Sequence, residues 1–208
     1  MFATFATCPE RRATWAAAAF LAGSILGLWL PLPAAAAPSF DHEVMAVLSR
    51  AGCNTGACHG NLNGKGGMQL SLRGQDPWHD YFALTHDAAG RRIDRNDPEQ
   101  SLALLKPTSS VPHQGGQRIR PGSLEYEILR RWIAAGAPEP DPNAARLEQL
   151  DVAPSRAVVR GADAAPIQLA VMATFDDGTQ RDVTELATYE VSNFVASVSP
   201  AGEVQRQR

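Results

Sequence analysis

AGCNTGACHG, residues 51–60, is the stretch on which the reading of this chain turns. It places Cys53, Cys58 and His59 within seven residues. The 208-residue chain has only three cysteines, and the third is Cys8, near the amino terminus. Two thiols followed at once by an imidazole are a concentration of ligand chemistry, so the question is what they hold.

The compartment bears on the answer. Arg11 and Arg12 precede an apolar run, ATWAAAAFLAGSILGLWLPLP, and small residues follow at 34–37. A positive region, an apolar region and a small-residue cleavage site in that order predict a secretory signal peptide over 1–37. A single membrane anchor is the competing reading, and Pro31, Pro33 and the alanine cluster favour cleavage. Cleavage removes Cys8, so the exported chain keeps Cys53 and Cys58 in an oxidising, periplasmic or cell-surface setting. Residues 1–37 hold two arginines and one glutamate, so their removal takes the formal net charge from −3 to −4. That balance excludes a strongly basic nucleic-acid binder. No later stretch is apolar for long enough to span a bilayer, so no membrane span is expected after signal removal.

Covalent haem attachment needs two thiols to add across the two vinyl groups of haem. It also needs an adjacent histidine to reach the iron, and C-x-x-C-H is the usual solution. Here the spacing is C-x-x-x-x-C-H, longer by two residues. Three other readings compete. One is a Cys53–Cys58 disulfide, which requires a loop rather than a helix between the two cysteines. Another is a zinc site, for which no second Cys/His pair follows at finger-like spacing. The third is a pair of structural thiols. Covalent haem is the preferred reading.

Working outward, FDHEVMAVLSRAG before the motif has Phe40, Val44, Val47 and Leu48 at helical spacing, with Asp41 near the start and Gly52 at the end. GSLEYEILRRWIAAGAP predicts a second helix, with Ser123 as N-cap. Leu124, Ile128, Leu129, Trp132 and Ile133 would form its apolar face, and Gly136 and Pro138 would stop it. HDYFALTH and PEQSLALLKP predict two short helices between them. PEPDPNAARLEQ reads as a proline-rich linker. Beyond Leu147 the period becomes two. IQLAVMATF puts Ile167, Leu169, Val171, Ala173 and Phe175 on one face, and Asp177-Gly178 predicts the turn to a return strand. YEVSNFVASVSPAGEV predicts two more short strands.

These ordered blocks resemble a known architecture. SRAGCNTGACHGNLNGKGGMQLSLRGQDP, followed by LLKPTSSVPHQGGQRIRPGSLEYEILRRWIAAGAP, is similar to the cytochrome c-like domain of large planctomycete-type secreted proteins. The segment from LEQLDVAPS to SPAGEV resembles the bacterial Ig-like (group 2, BIG2) domain that commonly follows it. The resemblance implies a multidomain chain, a small all-α cytochrome c-like domain plus an all-β Ig-like sandwich. Its expected boundaries are a signal peptide at 1–37, the haem domain at 38–138, a linker at 139–147 and the Ig-like domain at 148–208. About sixty residues are fewer than the ~100 typical of such a sandwich, so the Ig-like part is expected to be truncated.

The resemblance also bears on the iron. His59 would be the proximal ligand. His113 lies fifty-four residues further on, in KPTSSVPHQGG just before the final helix, where small cytochromes c place their distal ligand. The resembling family carries a histidine in a similar loop. Met68, nine residues beyond His59, is the lesser candidate. His42, His79 and His86 read as surface or core histidines. Lys65 and Arg73 could reach the haem propionates, but surface solvation is the preferred reading, and Gly64, Gly66 and Gly67 could let backbone approach a flat cofactor or simply turn the chain. No phosphate-loop spacing, Ser-His-Asp order or paired-carboxylate signature stands out.

The expectation is thus an exported c-type cytochrome module. It would bind one haem c, with its iron, at Cys53 and Cys58 and pass single electrons to a redox partner protein. It would have no catalytic domain of its own, although a larger secreted assembly could use it. The alternative is a non-redox scaffold or adhesion fragment with a Cys53–Cys58 disulfide and a working Ig-like module.

Overall fold

Ser39 starts the first helical segment because its hydroxyl accepts a hydrogen bond from the His42 backbone N–H. In this computed structural model, which describes residues 36–159 and 165–207, Phe40–Val44 winds as a π-helical turn. It runs directly into α1, Met45–Arg50. The expected stripe is the one that is buried: Phe40, Val44, Val47 and Leu48 are each 5% exposed or less. Gly52, at φ 72°, then turns the chain into the cysteine loop.

Helix α2, Pro77–Thr85, begins two residues before the expected HDYFALTH segment. Asp76 caps it by accepting from the His79 N–H, and Pro77 occupies the first turn, where its missing N–H costs nothing. Helix α3, Leu102–Leu105, is a single turn that follows a 3-10 turn at Pro98–Gln100. Helix α4, Leu124–Ala134, has Ser123 as its cap, accepting from the Tyr126 N–H at 3.3 Å. Ile128, Leu129, Trp132 and Ile133 are buried, but Leu124 is 41% exposed. The buried stripe therefore starts one turn further in than the periodicity predicts. Phe40 packs at 5.4 Å between ring centroids against both Tyr81 and Trp132, tying the first helical segment, α2 and α4 together.

The rest is antiparallel sheet. Strand β1, Leu147–Ala153, pairs with β3, Ala170–Phe175, which pairs with β4, Gln180–Asp182. The β3–β4 connection is the expected Asp177-Gly178 turn, with Gly178 at φ 80°. A second small sheet has the order β2-β6-β5, from Ile167–Gln168, Glu203–Arg206 and Ala196–Val198. The single strand expected over 167–175 is divided. The chain changes sheets at Leu169, whose N–H donates to the Gly202 carbonyl. Only Val171, Ala173 and Phe175 reach full burial. The content is mixed helix and antiparallel sheet.

The proline-rich stretch packs against the helices. Pro140 is buried, the Asp141 N–H donates to Asp41, and the Ala145 carbonyl lies 2.8 Å from His42 Nε2. The His42 ring also packs on Phe175, centroids 4.9 Å apart. Arg50 donates to Glu125 and to the carbonyls of Ala187 and Pro200. Residues 36–208 fall into one compact unit, so helices and sheets share packing across the expected linker. The signal-peptide expectation falls on 1–37, of which 1–35 lie outside the described residues. Among the described residues no helix is long and apolar enough to cross a membrane.

A candidate cofactor cavity between two histidines

The cysteine loop is held by its own backbone. The Cys53 N–H donates to the Leu48 carbonyl, and the His59 N–H reaches back to the Cys53 carbonyl at 3.0 Å. Gly60 closes the loop against the Asn54 carbonyl, which a Cβ would overlap. Asn54, 1% exposed, is anchored by its side-chain amide to Ser49 Oγ. The loop's hydrogen bonds thus fold it back on itself at the end of α1, and Cys53, Cys58 and His59 all line one cavity.

That cavity has a volume of about 830 Å³. Leu48 of α1, Leu84 of α2 and Leu129 and Trp132 of α4 supply apolar wall, and Met68, Pro112 and His113 line it from the loops. Cys53 and Cys58 stand as free, half-buried thiols. Burial, reinforced by the neighbouring Cys58, pushes the Cys53 thiol up to about 11, against the opposing pull of Arg118. A neutral thiol is the form expected there.

The two histidines are held alike. His59 Nδ1 lies 3.1 Å from the Met68 carbonyl oxygen, and His113 Nδ1 lies 2.9 Å from the Gly116 carbonyl oxygen. A carbonyl only accepts, so each Nδ1 carries the proton and each Nε2 presents its lone pair, the arrangement usual for metal-bound histidine. The two rings are 6.5 Å apart between centroids and 11° from parallel. At a metal–imidazole bond length of about 2.0 Å, two imidazoles on opposite sides of one metal have centroids ~6 Å apart. Burial, with a smaller contribution from His113, holds the His59 imidazole below its usual range, while the Met68 carbonyl opposes this. The net effect favours the neutral ring, the form that binds metal. Gly115 makes room for His113, since a Cβ there would stand 2.8 Å from the ring's Cε1.

Of the residues singled out from sequence, Cys53, Cys58, His59, Met68, His113 and Lys65 all line this cavity. Met68 also serves through its main chain, as the acceptor that orients His59. Arg73 does not line it. His42, His79 and His86 lie elsewhere: His42 packs on Phe175, His79 is exposed, and His86 stacks on Phe82 and bonds Thr85. Sequence reasoning missed Arg91, Arg92, Lys106 and Arg118. Arg118 alone carried a usable signal, five residues after His113 in the same loop.

Among the described residues no group of three or more His, Cys, Asp or Glu side chains is placed to hold a bare metal ion. Two imidazoles and two thiols on one apolar-walled cavity form a donor set that would suit a cofactor bringing further ligands of its own. No protein-family model, curated protein or solved structure matches the chain.

Proposed function

We propose that this protein is an exported c-type cytochrome module in which Cys53 and Cys58 would hold one haem and His59 and His113 would ligate its iron. The observation that carries the reading is the pair of near-parallel imidazoles across the cavity, each with Nδ1 tied to a carbonyl and Nε2 left for iron. Bound there, haem would supply a one-electron couple. The chain's own residues bind and orient. The Met68 and Gly116 carbonyls fix the ring tautomers, Gly60 and Asn54 hold the cysteine loop, and Leu48, Leu84, Leu129 and Trp132 exclude water.

The helical part is read as cytochrome c-like and the sheet part as Ig-like. One feature in the sheet part favours the second reading. The Tyr189 hydroxyl donates to the Thr184 carbonyl five residues upstream, as in the tyrosine corner of Ig-like sandwiches. In this reading the sheets serve as a spacer or docking body, and the redox partner is another protein.

A redox titration followed in the visible band tests the proposal. The expected result is a reversible one-electron couple with a midpoint below the range of His/Met cytochromes, because a thioether ligand raises the potential and imidazole does not. A protein purified from a host with haem-attachment machinery that shows no redox-active band contradicts it. It would leave the scaffold reading.

A further inference from the structure

Asp80, in α2, is a fully buried carboxyl group. Burying such a group is costly unless it is well bonded. Both of its oxygens accept from a single residue: Oδ1 takes the Ser71 N–H, and Oδ2 takes the Ser71 hydroxyl at 2.9 Å. That hydroxyl in turn accepts from the N–H of Asp76, the cap of α2, at 3.0 Å. Burial pushes the Asp80 carboxyl up, against the two Ser71 bonds and the pull of His79, while Asp76 adds to the rise. The helix and its cap thus grip one loop residue by every polar group that its side chain offers.

Ser71 belongs to the segment that aims His59. Met68 supplies the carbonyl beside His59 Nδ1. The Leu70 N–H donates to the His59 carbonyl at 2.8 Å, and the Arg73 N–H donates to the Asn54 carbonyl at 3.1 Å. Residues 68–73 are therefore laced along the loop that bears Cys53, Cys58 and His59. One end is fixed by Lys65 and Met68, which exchange backbone hydrogen bonds across a tight turn. Towards the other end Ser71 is fastened to α2 by Asp80.

We infer that Asp80 is a positioning residue for His59: by clamping Ser71 to α2, it holds the Met68 carbonyl where that carbonyl keeps the His59 proton on Nδ1. A carboxylate suits the task because it offers two acceptor oxygens to the N–H and the O–H of one residue. A helix is also a stiffer support than a loop for a side chain that must be held in one orientation. The inference rests on the haem reading for what His59 binds, and deepens it by naming what aims the ring.

The test reads the His59 tautomer in the haem-free chain by heteronuclear NMR of the imidazole nitrogens, at a pH where the ring is neutral. The unmodified chain should hold the proton on Nδ1. Asp80→Ala should shift it towards Nε2, the form free histidine favours. Asp80→Asn should restore it, because the amide oxygen still accepts from the Ser71 N–H and the amide N–H donates to the hydroxyl. Val171→Ala, which opens the core of β3 instead, should not move it. Ser71→Ala, at a part-exposed position, removes one bond from the other side and should shift the proton in the same direction by less. An unchanged tautomer in Ser71→Ala, or in folded Asp80→Ala, overturns the assignment. The second measurement is the low-spin electron paramagnetic resonance signal of the haem-loaded protein, which follows the angle between two axial imidazoles. It should change in Asp80→Ala and return in Asp80→Asn, and an unchanged signal overturns the assignment. A tautomer shift in a chain that never takes up haem would uphold the role of Asp80 and overturn the haem reading alone.

Discussion

The rings of His59 and His113 face one another across the cavity, 6.5 Å apart and 11° from parallel, although fifty-four residues separate them in the chain. Two loops achieve this, one ending α1 and one preceding α4. Each fixes its histidine by a backbone carbonyl rather than by another side chain. If both rings ligate one iron, His113→Ala should convert a six-coordinate low-spin spectrum to a high-spin one without releasing the covalently held group. His113→Met should raise the midpoint potential. Met68→Leu should change neither spectrum nor coordination, because Met68 acts on His59 through its main-chain oxygen.

Gly60→Ala should disrupt the site without touching a ligand. Its Cβ would overlap the Asn54 carbonyl, so the cysteine loop must reopen. Haem incorporation, read as the ratio of visible-band to protein absorbance, should fall several-fold, while Gly66→Ala, with nothing near its Cβ, should fall less. Gly66 does sit at φ 61°, so some backbone strain is expected there too.

Trp132 is fully buried beside Phe40 and Tyr81 and also lines the cavity. Trp132→Ala should cost about 3–5 kcal/mol of stability, as aromatic truncation in a packed core does. Chemical denaturation checks it.

Arg50 and Glu125 make the pH-dependent contact. Burial alone would raise the Glu125 carboxyl, but its own backbone N–H, the Arg50 guanidinium and the Ser123 hydroxyl outweigh it and hold the group below its usual range. A carboxyl depressed in the folded state adds stability above its unfolded pKa, ~4.3 for glutamate. That stability is lost as pH falls through the folded value. Glu125→Gln should therefore destabilise the protein at pH 7 by roughly 1–3 kcal/mol, the range for a hydrogen-bonded charge. The gap to the unmodified chain should close as pH falls below 4. A gap that stays constant with pH would contradict the assignment.

Arg50 also joins helices to sheets through the carbonyls of Ala187 and Pro200. Arg50→Met should speed amide exchange around residues 184–202 more than in α4. Equal effects in both regions would mean that the guanidinium is no inter-module tie.

Some of this was readable from residues alone. The stripes of α1 and α4, the Ser123 cap and the Gly178 turn follow from local rules, periodicity and turn chemistry, and the structure has them. Leu124 and the strand over 167–175 depart for tertiary reasons. Burial at Leu124 needs a partner surface that the first turn of α4 does not meet, and period-two alternation does not reveal that the chain changes sheets at Leu169. The linker's packing depends on His42 and Asp41, a hundred residues upstream, and no local signal announces it. In the cavity, the cysteines and His59 stood out by spacing. Arg92 did not, because a buried arginine in a cavity wall looks like any surface arginine until its environment is known.

The most direct test of the central claim is the intact mass of the purified protein, made with haem-attachment machinery and denatured before measurement. The account predicts the mass of one added haem, retained on the peptide that contains Cys53 and Cys58. An unmodified mass, or one short by two protons from a disulfide, would contradict it.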